Sequence, residues 1–301
     1  MKQIIGSKIV FLLLLFFVII SPGTSKYLTA AASAGDGSKV HWVSPTGTAG
    51  WSDCENATDP GPGKYCKLGY GSNGLNDQVR AGDTVYLKGG TYLWTPTTWY
   101  GALNPNHSGT QSQRILISAA PGETPVIEAE NDNNDGYMYA ISFGIGPSVD
   151  TTINYTRITG ITFRNMPRMA YVRNSSSYNE IDHCTFENTK LGKYGIILTG
   201  MCAGGGSMTC YVTHNWIHDN TLIRANVSGC AEIGAYADLI RVGDDGGAWD
   251  GTGENNYNTI ENNVLSYASH SVMDVFGRFN VIKNNTAHKQ PRINKLAILG
   301  K

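Results

Sequence analysis

Ile260-Glu261-Asn262-Asn263-Val264-Leu265 returns 22 residues later as Ile282-Lys283-Asn284-Asn285-Thr286-Ala287. The shared frame is an apolar residue at position zero, a ladder residue at plus three and an apolar residue at plus five. Three earlier segments fit it: Ile158 with Ile161 and Phe163, Ile181 with Cys184 and Phe186, and Val212 with Asn215 and Ile217. Their starts are separated by 23, 31, 48 and 22 residues. The short intervals suit one coil of roughly 20 to 25 residues, and the long ones require loops inserted on one face of a solenoid. A second strand-like run follows each of the first four segments: Ala170-Tyr171-Val172, Gly195-Ile196-Ile197-Leu198, Asp238-Leu239-Ile240-Arg241-Val242 and Val272-Met273-Asp274-Val275. Two alternating strand rows per period predict a stacked parallel β-solenoid. In such a stack the amides of Asn215, Asn263 and Asn285 can donate and accept along the axis from coil to coil, ~4.8 Å apart. A leucine-rich horseshoe would need a leucine framework that is absent, and a β-sandwich need not recur in register.

Upstream, Val40-His41-Trp42-Val43-Ser44-Pro45 reads as a first strand and Leu75 to Arg80 as one turn of helix. The runs Ala81 to Tyr92 and Ile115 to Ile127 are β-rich and bounded by turn residues. The composition agrees, with 36 glycines, 16 tyrosines and only 16% charged residues, as many short strands joined by polar turns require. A formal net charge of -1 offers no field to attract nucleic acid or an anionic membrane surface.

Residues 1–34 read as a secretory signal peptide. Lys2 and Lys8 precede the apolar run Ile9 to Ile20, Pro22 and Gly23 break it, and Ala32-Ser33-Ala34 supplies a small-residue cleavage pattern before Gly35. Twelve apolar residues fall short of the ~20 that span a bilayer as a helix. The expectation is a secreted, extracellular chain, with residues 35–301 forming one β-helix domain that carries an N-terminal cap. Gln290 to Lys301 continue no repeat, so the domain reads as incomplete at its C-terminal end. Export permits disulfides among the six cysteines. Cys54 and Cys66 bracket one short loop, Cys202 and Cys210 another, and Cys184 and Cys230 remain; Cys202 with Cys230 is a rival pairing.

Val43-Ser44-Pro45-Thr46-Gly47, the run Ala81 to Tyr92 and Ala120-Pro121-Gly122-Glu123-Thr124-Pro125-Val126-Ile127, taken with the repeats, resemble secreted right-handed parallel β-helix proteins of the pectate-lyase superfamily. The resemblance covers roughly Val40 to Ala287. It implies an all-β, right-handed parallel β-helix and a polysaccharide substrate, but the same opening is shared by lyases, hydrolases and epimerases, so fold does not settle function.

Aligning Leu239-Ile240-Arg241-Val242 over Val272-Met273-Asp274-Val275 places Arg241 and Asp274 at equivalent positions of consecutive coils, outward if the apolar residues face in. They then form either a solvated cross-coil ion pair or part of a groove in which Arg241 meets a uronate carboxylate. The acids Asp244, Asp245 and Asp250, set among glycines, could with Asp238 and Asp274 supply oxygen ligands to Ca²⁺. Ala237-Asp238, Asn258 to Asn263 and Asp274 are similar to the motif of pectate lyases that bind calcium through an aspartate cluster and use a lysine as base. The resemblance thereby gives Asp238 and Asp274 ligand roles. The sequence departs from that motif at His270-Ser271, where the family has paired aspartates, and downstream it offers only Lys283, Lys289 or Lys295. His270 is therefore the candidate base beside Arg241, and Trp249 and Arg278 are the candidate sugar contacts. His183, His214 and His218 read as structural or surface residues. The reaction expected first is β-elimination of an acidic, uronate-containing polysaccharide by a monomer. A non-catalytic glycan-binding module comes second, and glycoside hydrolysis, drawing on Asp244 and Asp245, third.

Overall fold

The computed structural model describes residues 39–95, 101–130, 139–145, 152–189, 195–200, 210–224, 238–243, 255–268, 271–288 and 297–298. The expected signal segment lies outside them. The strands form three sheets in which every pairing is parallel. Sheet 1 runs Lys39–Val43, Asp83–Leu87, Ile115–Ala119, Thr156–Thr159, Glu180–Asp182, Trp216–His218, Thr259–Glu261 and Val281–Lys283. Sheet 2 runs Gly90–Trp94, Pro125–Ala129, Thr162–Arg164, Thr185–Thr189, Thr221–Arg224, Val264–Ser266 and Thr286–His288. Sheet 3 runs Tyr139–Phe143, Arg168–Val172, Ile196–Leu198, Ile240–Val242, Met273–Val275 and Ala297–Ile298. From Ile115 on, the chain visits sheets 1, 2 and 3 in turn and each strand pairs with its equivalent one coil away. The architecture is a right-handed parallel β-helix.

The corner between sheets 1 and 2 explains both the repeat and a correction to it. In every coil from Thr156 on, two residues separate the strands: 160–161, 183–184, 219–220, 262–263 and 284–285. The first of each pair is left-handed, with φ of 74° at Gly160, 51° at His183, 54° at Asp219, 56° at Asn262 and 55° at Asn284. This bend puts the position-zero isoleucine on sheet 1 and the plus-five residue on sheet 2, so each coil has three strand rows where periodicity alone suggested two.

The second residue of the pair carries the ladder. Asn220, Asn263 and Asn285 accept from the backbone N–H of Cys184, Asn220 and Asn263, each at 3.0 Å. Their amides donate to the carbonyls of Ile181, Ile217 and Ile260 at 2.8, 3.0 and 2.9 Å. A parallel ladder lies five residues earlier: Asn215, Asn258 and Asn280 accept from the backbone of Asn179, Asn215 and Asn258 at 3.0, 3.0 and 2.9 Å. Asn215 therefore belongs to this second ladder and not, as the sequence frame suggested, to that of Asn263 and Asn285. Ile217 is the true position zero, paired with Ile181 and Ile260. The coil intervals become 23, 36, 43 and 22 residues. The frame slipped because Val212-Asn215-Ile217 and Ile217-Asn220-Leu222 both satisfy it.

Inside, Ile117, Ile158, Ile181, Ile217 and Ile260 stack from sheet 1, Ile127, Phe163, Phe186, Leu222 and Leu265 from sheet 2, and Phe143, Val172, Leu198, Val242 and Val275 from sheet 3, forming one continuous core. Just before sheet 1, Tyr155, Tyr178, His214, Tyr257 and Phe279 are all left-handed and their rings stack successively at 4.9, 4.7, 5.3 and 5.0 Å. A non-glycine residue there costs roughly 1–2 kcal/mol, which stacking of about 0.5–1.5 kcal/mol per pair offsets. At the N-terminal end the helical turn is Leu75–Gln78 and a disulfide joins Cys54 to Cys66. Cys210 is also disulfide-bonded, Cys202 and Cys230 lie outside the described residues, and Cys184 is a free, buried thiol pushed up to about 12 by burial. Among the described residues no helix is long and apolar enough to cross a membrane.

Two stability measurements follow from these contacts. Asn263→Ala strands a buried N–H of Asn220 and the Ile217 carbonyl, and is expected to lower the unfolding free energy in urea by about 2–4 kcal/mol; a loss below ~0.5 kcal/mol would contradict the ladder's role. Asp83 is buried beside His41, their side chains 3.8 Å apart, and burial raises its pKa to about 6. A carboxyl whose folded pKa exceeds the unfolded value contributes stability that is present below pH ~4 and lost as pH rises through 6. Asp83→Asn should therefore gain on the wild type by up to about 2 kcal/mol between pH 4 and pH 7.5; a constant difference across that range would contradict the assignment.

Candidate functional site

From Thr156 on, the corner between sheets 1 and 2 stays at two residues and the long connections, 199–215, 225–239 and 243–258, enter or leave sheet 3; upstream, the long connections 44–82 and 95–114 lead back to sheet 1. Loops carry most functional side chains when a rigid scaffold positions them, so the outer face of sheet 3 is the candidate site. One row along that face holds Ser142, Tyr171, Ile197, Arg241 and Asp274, one residue per coil. Ile240, Val242, Met273 and Val275 lie in the core, which turns Arg241 and Asp274 outward as register neighbours.

Arg241 is not a solvated charge. It is 6% exposed, its guanidinium lies over the Phe276 ring at 5.8 Å, and Nη1 is 3.8 Å from Oδ2 of Asp238. Asp238 is fully buried, its other oxygen accepting the Ser271 N–H at 3.1 Å. Gly243 makes room for this arrangement: its φ is 131° and a Cβ there would lie 2.6 Å from the Phe276 ring. Further along the row, Tyr139, Tyr171 and Ile197 form an apolar cluster outside the main core. The two tyrosines stack at 4.7 Å. Arg168 lies 5.2 Å over Tyr139 and donates to its hydroxyl, and Arg173 lies 5.8 Å over Tyr171. Guanidinium groups on aromatic faces are held flat and oriented.

The structure thus brings together Arg241, Asp238 and Asp274. Arg278 stands exposed on the connection after Met273–Val275, its backbone N–H bonded to Asn256 Oδ1 at 2.6 Å. His270, Trp249, Asp244, Asp245 and Asp250 lie outside the described residues.

Sequence reasoning missed a second cluster, on the outer face of sheet 1. Glu180, Asp182 and His218 are buried with ligand atoms within 4.8 Å of one another, a group that could hold a metal ion. Arg157 forks onto Asp182 at 2.8 and 2.7 Å. Burial opposes ionisation of Asp182, but Arg157, His183 and Thr159 outweigh it and hold the carboxyl below its usual range. Burial likewise opposes charging of His218, while Glu180 and Asp219 prevail and raise its pKa. The signal was available: Arg157-Ile158-Thr159, Glu180-Ile181-Asp182 and Trp216-Ile217-His218 flank each inward isoleucine with polar residues. Reading His218 as an ordinary structural or surface residue overlooked its two carboxylate partners in space.

No protein-family model and no curated protein matches this sequence. Among solved structures, the crystal structure of pectate lyase Pel9A is similar at a TM-score of 0.57 and 17% identity, over 89% of this chain and 60% of that one. The crystal structure of alginate lyase from Paenibacillus sp. str. FPU-7 gives a TM-score of 0.47 and 17% identity, over 70% of each chain. The likeness to pectate lyase Pel9A is one of fold, and the chain spans about 60% of that protein's length.

Gly243→Ala tests the support of Arg241. The added Cβ meets Phe276 and strains the backbone, so a loss of roughly 1–3 kcal/mol in stability is expected. A variant as stable as the wild type would show that Phe276 is not packed as described.

Proposed function

We propose that this chain is a secreted lyase that cleaves an acidic, uronate-containing polysaccharide by β-elimination on the outer face of sheet 3. The observation that carries the reading is Arg241: a permanently charged guanidinium, 6% exposed, aimed outward from a rigid strand. Supporting it are the long connections that flank sheet 3 from Thr156 on and the fold shared with a protein named a pectate lyase.

β-Elimination requires the uronate carboxylate to be neutralised so that the C5 proton becomes acidic, a base to remove that proton, and departure of the C4 oxygen. Arg241 meets the carboxylate as a bidentate donor in a dry setting, where the pairing is strengthened. Arginine is a poor base, so proton removal is assigned to His270. Trp249 and Arg278 contact flanking sugars. The Ca²⁺ expectation rests on Asp238, Asp274, Asp244 and Asp245. Of the two described carboxylates, Asp238 is committed to Ser271 and Arg241, a poor start for an ion that takes six to eight oxygens, so no step here depends on calcium.

The second reading, a non-catalytic glycan-binding module, is favoured by the exposed rings of Tyr178, Tyr257 and Phe279. The third reading, hydrolysis, draws on Asp244 and Asp245, which lie outside the described residues; among the described residues the acid pair Glu180 and Asp182 is tied to Arg157.

A screen of the purified chain against pectate, alginate, chondroitin and neutral glycans, with and without chelator, separates these readings. Ultraviolet absorbance from unsaturated products is expected on one acidic glycan, with a loss of about 10²–10³-fold in Arg241→Gln; a circular dichroism melt of the variant separates lost chemistry from lost fold. Reducing ends without that absorbance would indicate hydrolysis. Binding without either signal would indicate the module.

A further inference from the structure

The outer face of sheet 1 carries a constellation that the proposed glycan site does not use. The inward isoleucines of adjacent strands pair in register, so Glu180, Asp182 and His218 all project from the opposite face. His218 is the informative member. Its Nδ1 is 2.7 Å from a carboxylate oxygen of Asp219 and its Nε2 is 3.2 Å from Glu180 Oε1. A neutral imidazole carries one N–H. With Asp219 accepting it, the Nε2 lone pair and the Glu180 oxygen are two donor atoms turned toward one another, as ligands are around a shared ion.

The 3.2 Å between His218 Nε2 and Glu180 Oε1 suits a metal, and Asp182 offers a carboxylate oxygen within 4.8 Å of a ligand atom of each. Two ligands of a tetrahedral ion with bonds of ~2.0–2.1 Å stand roughly 3.3 Å apart. The Asp219 carboxylate behind His218 is the partner that orients a metal-bound histidine and fixes its tautomer. Asp182 is fully buried and accepts from the Thr159 hydroxyl at 2.9 Å, a support of the same kind for a second ligand.

We propose that Glu180, Asp182 and His218 form a site for a zinc-like divalent transition-metal ion that ties two consecutive coils together. A nitrogen donor among only three side chains favours such an ion over calcium, which takes six to eight oxygens. The competitor is built in. Arg157 forks onto Asp182 and lies 3.2 Å from Glu180, but its side chain is 22% exposed and can swing outward. The cluster therefore exchanges a guanidinium for one ion.

Titration of the metal-free full chain with Zn²⁺ by calorimetry, and with Co²⁺ by visible absorption, tests this without any glycan. One ion per chain is expected, with the absorption of low-coordinate Co²⁺. Arg157→Met should bind at least about tenfold tighter, because a charge-assisted competitor is gone, and His218→Gln should lose the site while melting cooperatively. Because His218→Gln could fail to fold, the Arg157→Met comparison stands alone as a second test. Absence of binding at millimolar Zn²⁺ in both the wild type and Arg157→Met, unchanged or weaker affinity in Arg157→Met, or unchanged affinity in a folded His218→Gln would each overturn the proposal.

Discussion

The hydrogen bond between an asparagine side chain and the backbone of the adjacent coil is the contact on which the helix turns. The corner between sheets 1 and 2 takes the chain through a left-handed residue and leaves backbone donors and acceptors without strand partners. Buried backbone groups without partners are costly, and asparagine is the side chain that can both accept and donate in one short reach. Asn263 does so in full, accepting from Asn220 and donating to Ile217. Because each ladder residue bonds to the next coil, the corner is both satisfied and repeated. That fixes the stagger of all three sheets and hence which side chains share a row.

Holding one corner to two residues has a consequence for where variation can go. From Thr156 on, connections of very different length are accommodated beside sheet 3, since lengthening the first corner would break the ladder. Sheet 3 is accordingly the face on which Arg241, Asp274 and the tyrosine cluster with its overlying arginines stand together. Sheet 1 solves a different electrostatic problem. Its outer face gathers Arg114, Arg157, Glu180, Asp182 and His218 into pairs that neutralise one another, a condition in which buried charges are tolerable. The same convergence of donors is what makes the face a metal site in prospect.

The asparagines and the alternating apolar residues made much of the fold legible: parallel coils, stacked strands and the pairing of Arg241 with Asp274 could be read from periodicity, and Cys54 with Cys66 from a short bracketed loop. Two errors concern the frame. The third coil was placed five residues early because an apolar–asparagine–apolar frame occurs on both sides of Ile217, and two strand rows were read where there are three because each frame spans a two-residue corner and so holds two strands. Only spatial pairing shows which asparagine sits at which corner. The Glu180–Asp182–His218 cluster was missed for a related reason: His218 lies 38 residues from Glu180, and an inserted loop hides the fact that they are neighbours one coil apart.

By itself, then, the sequence determined the repeat, the residue types at each corner and the inward or outward sense of most strand residues, all of which follow from short-range alternation and turn chemistry. The tertiary structure alone decided the environment of the charges. Arg241 became a desolvated cation against Phe276, and His218 a ring held between two carboxylates, since burial and partner distance depend on the stacking of coils whose spacing along the chain varies from 22 to 43 residues.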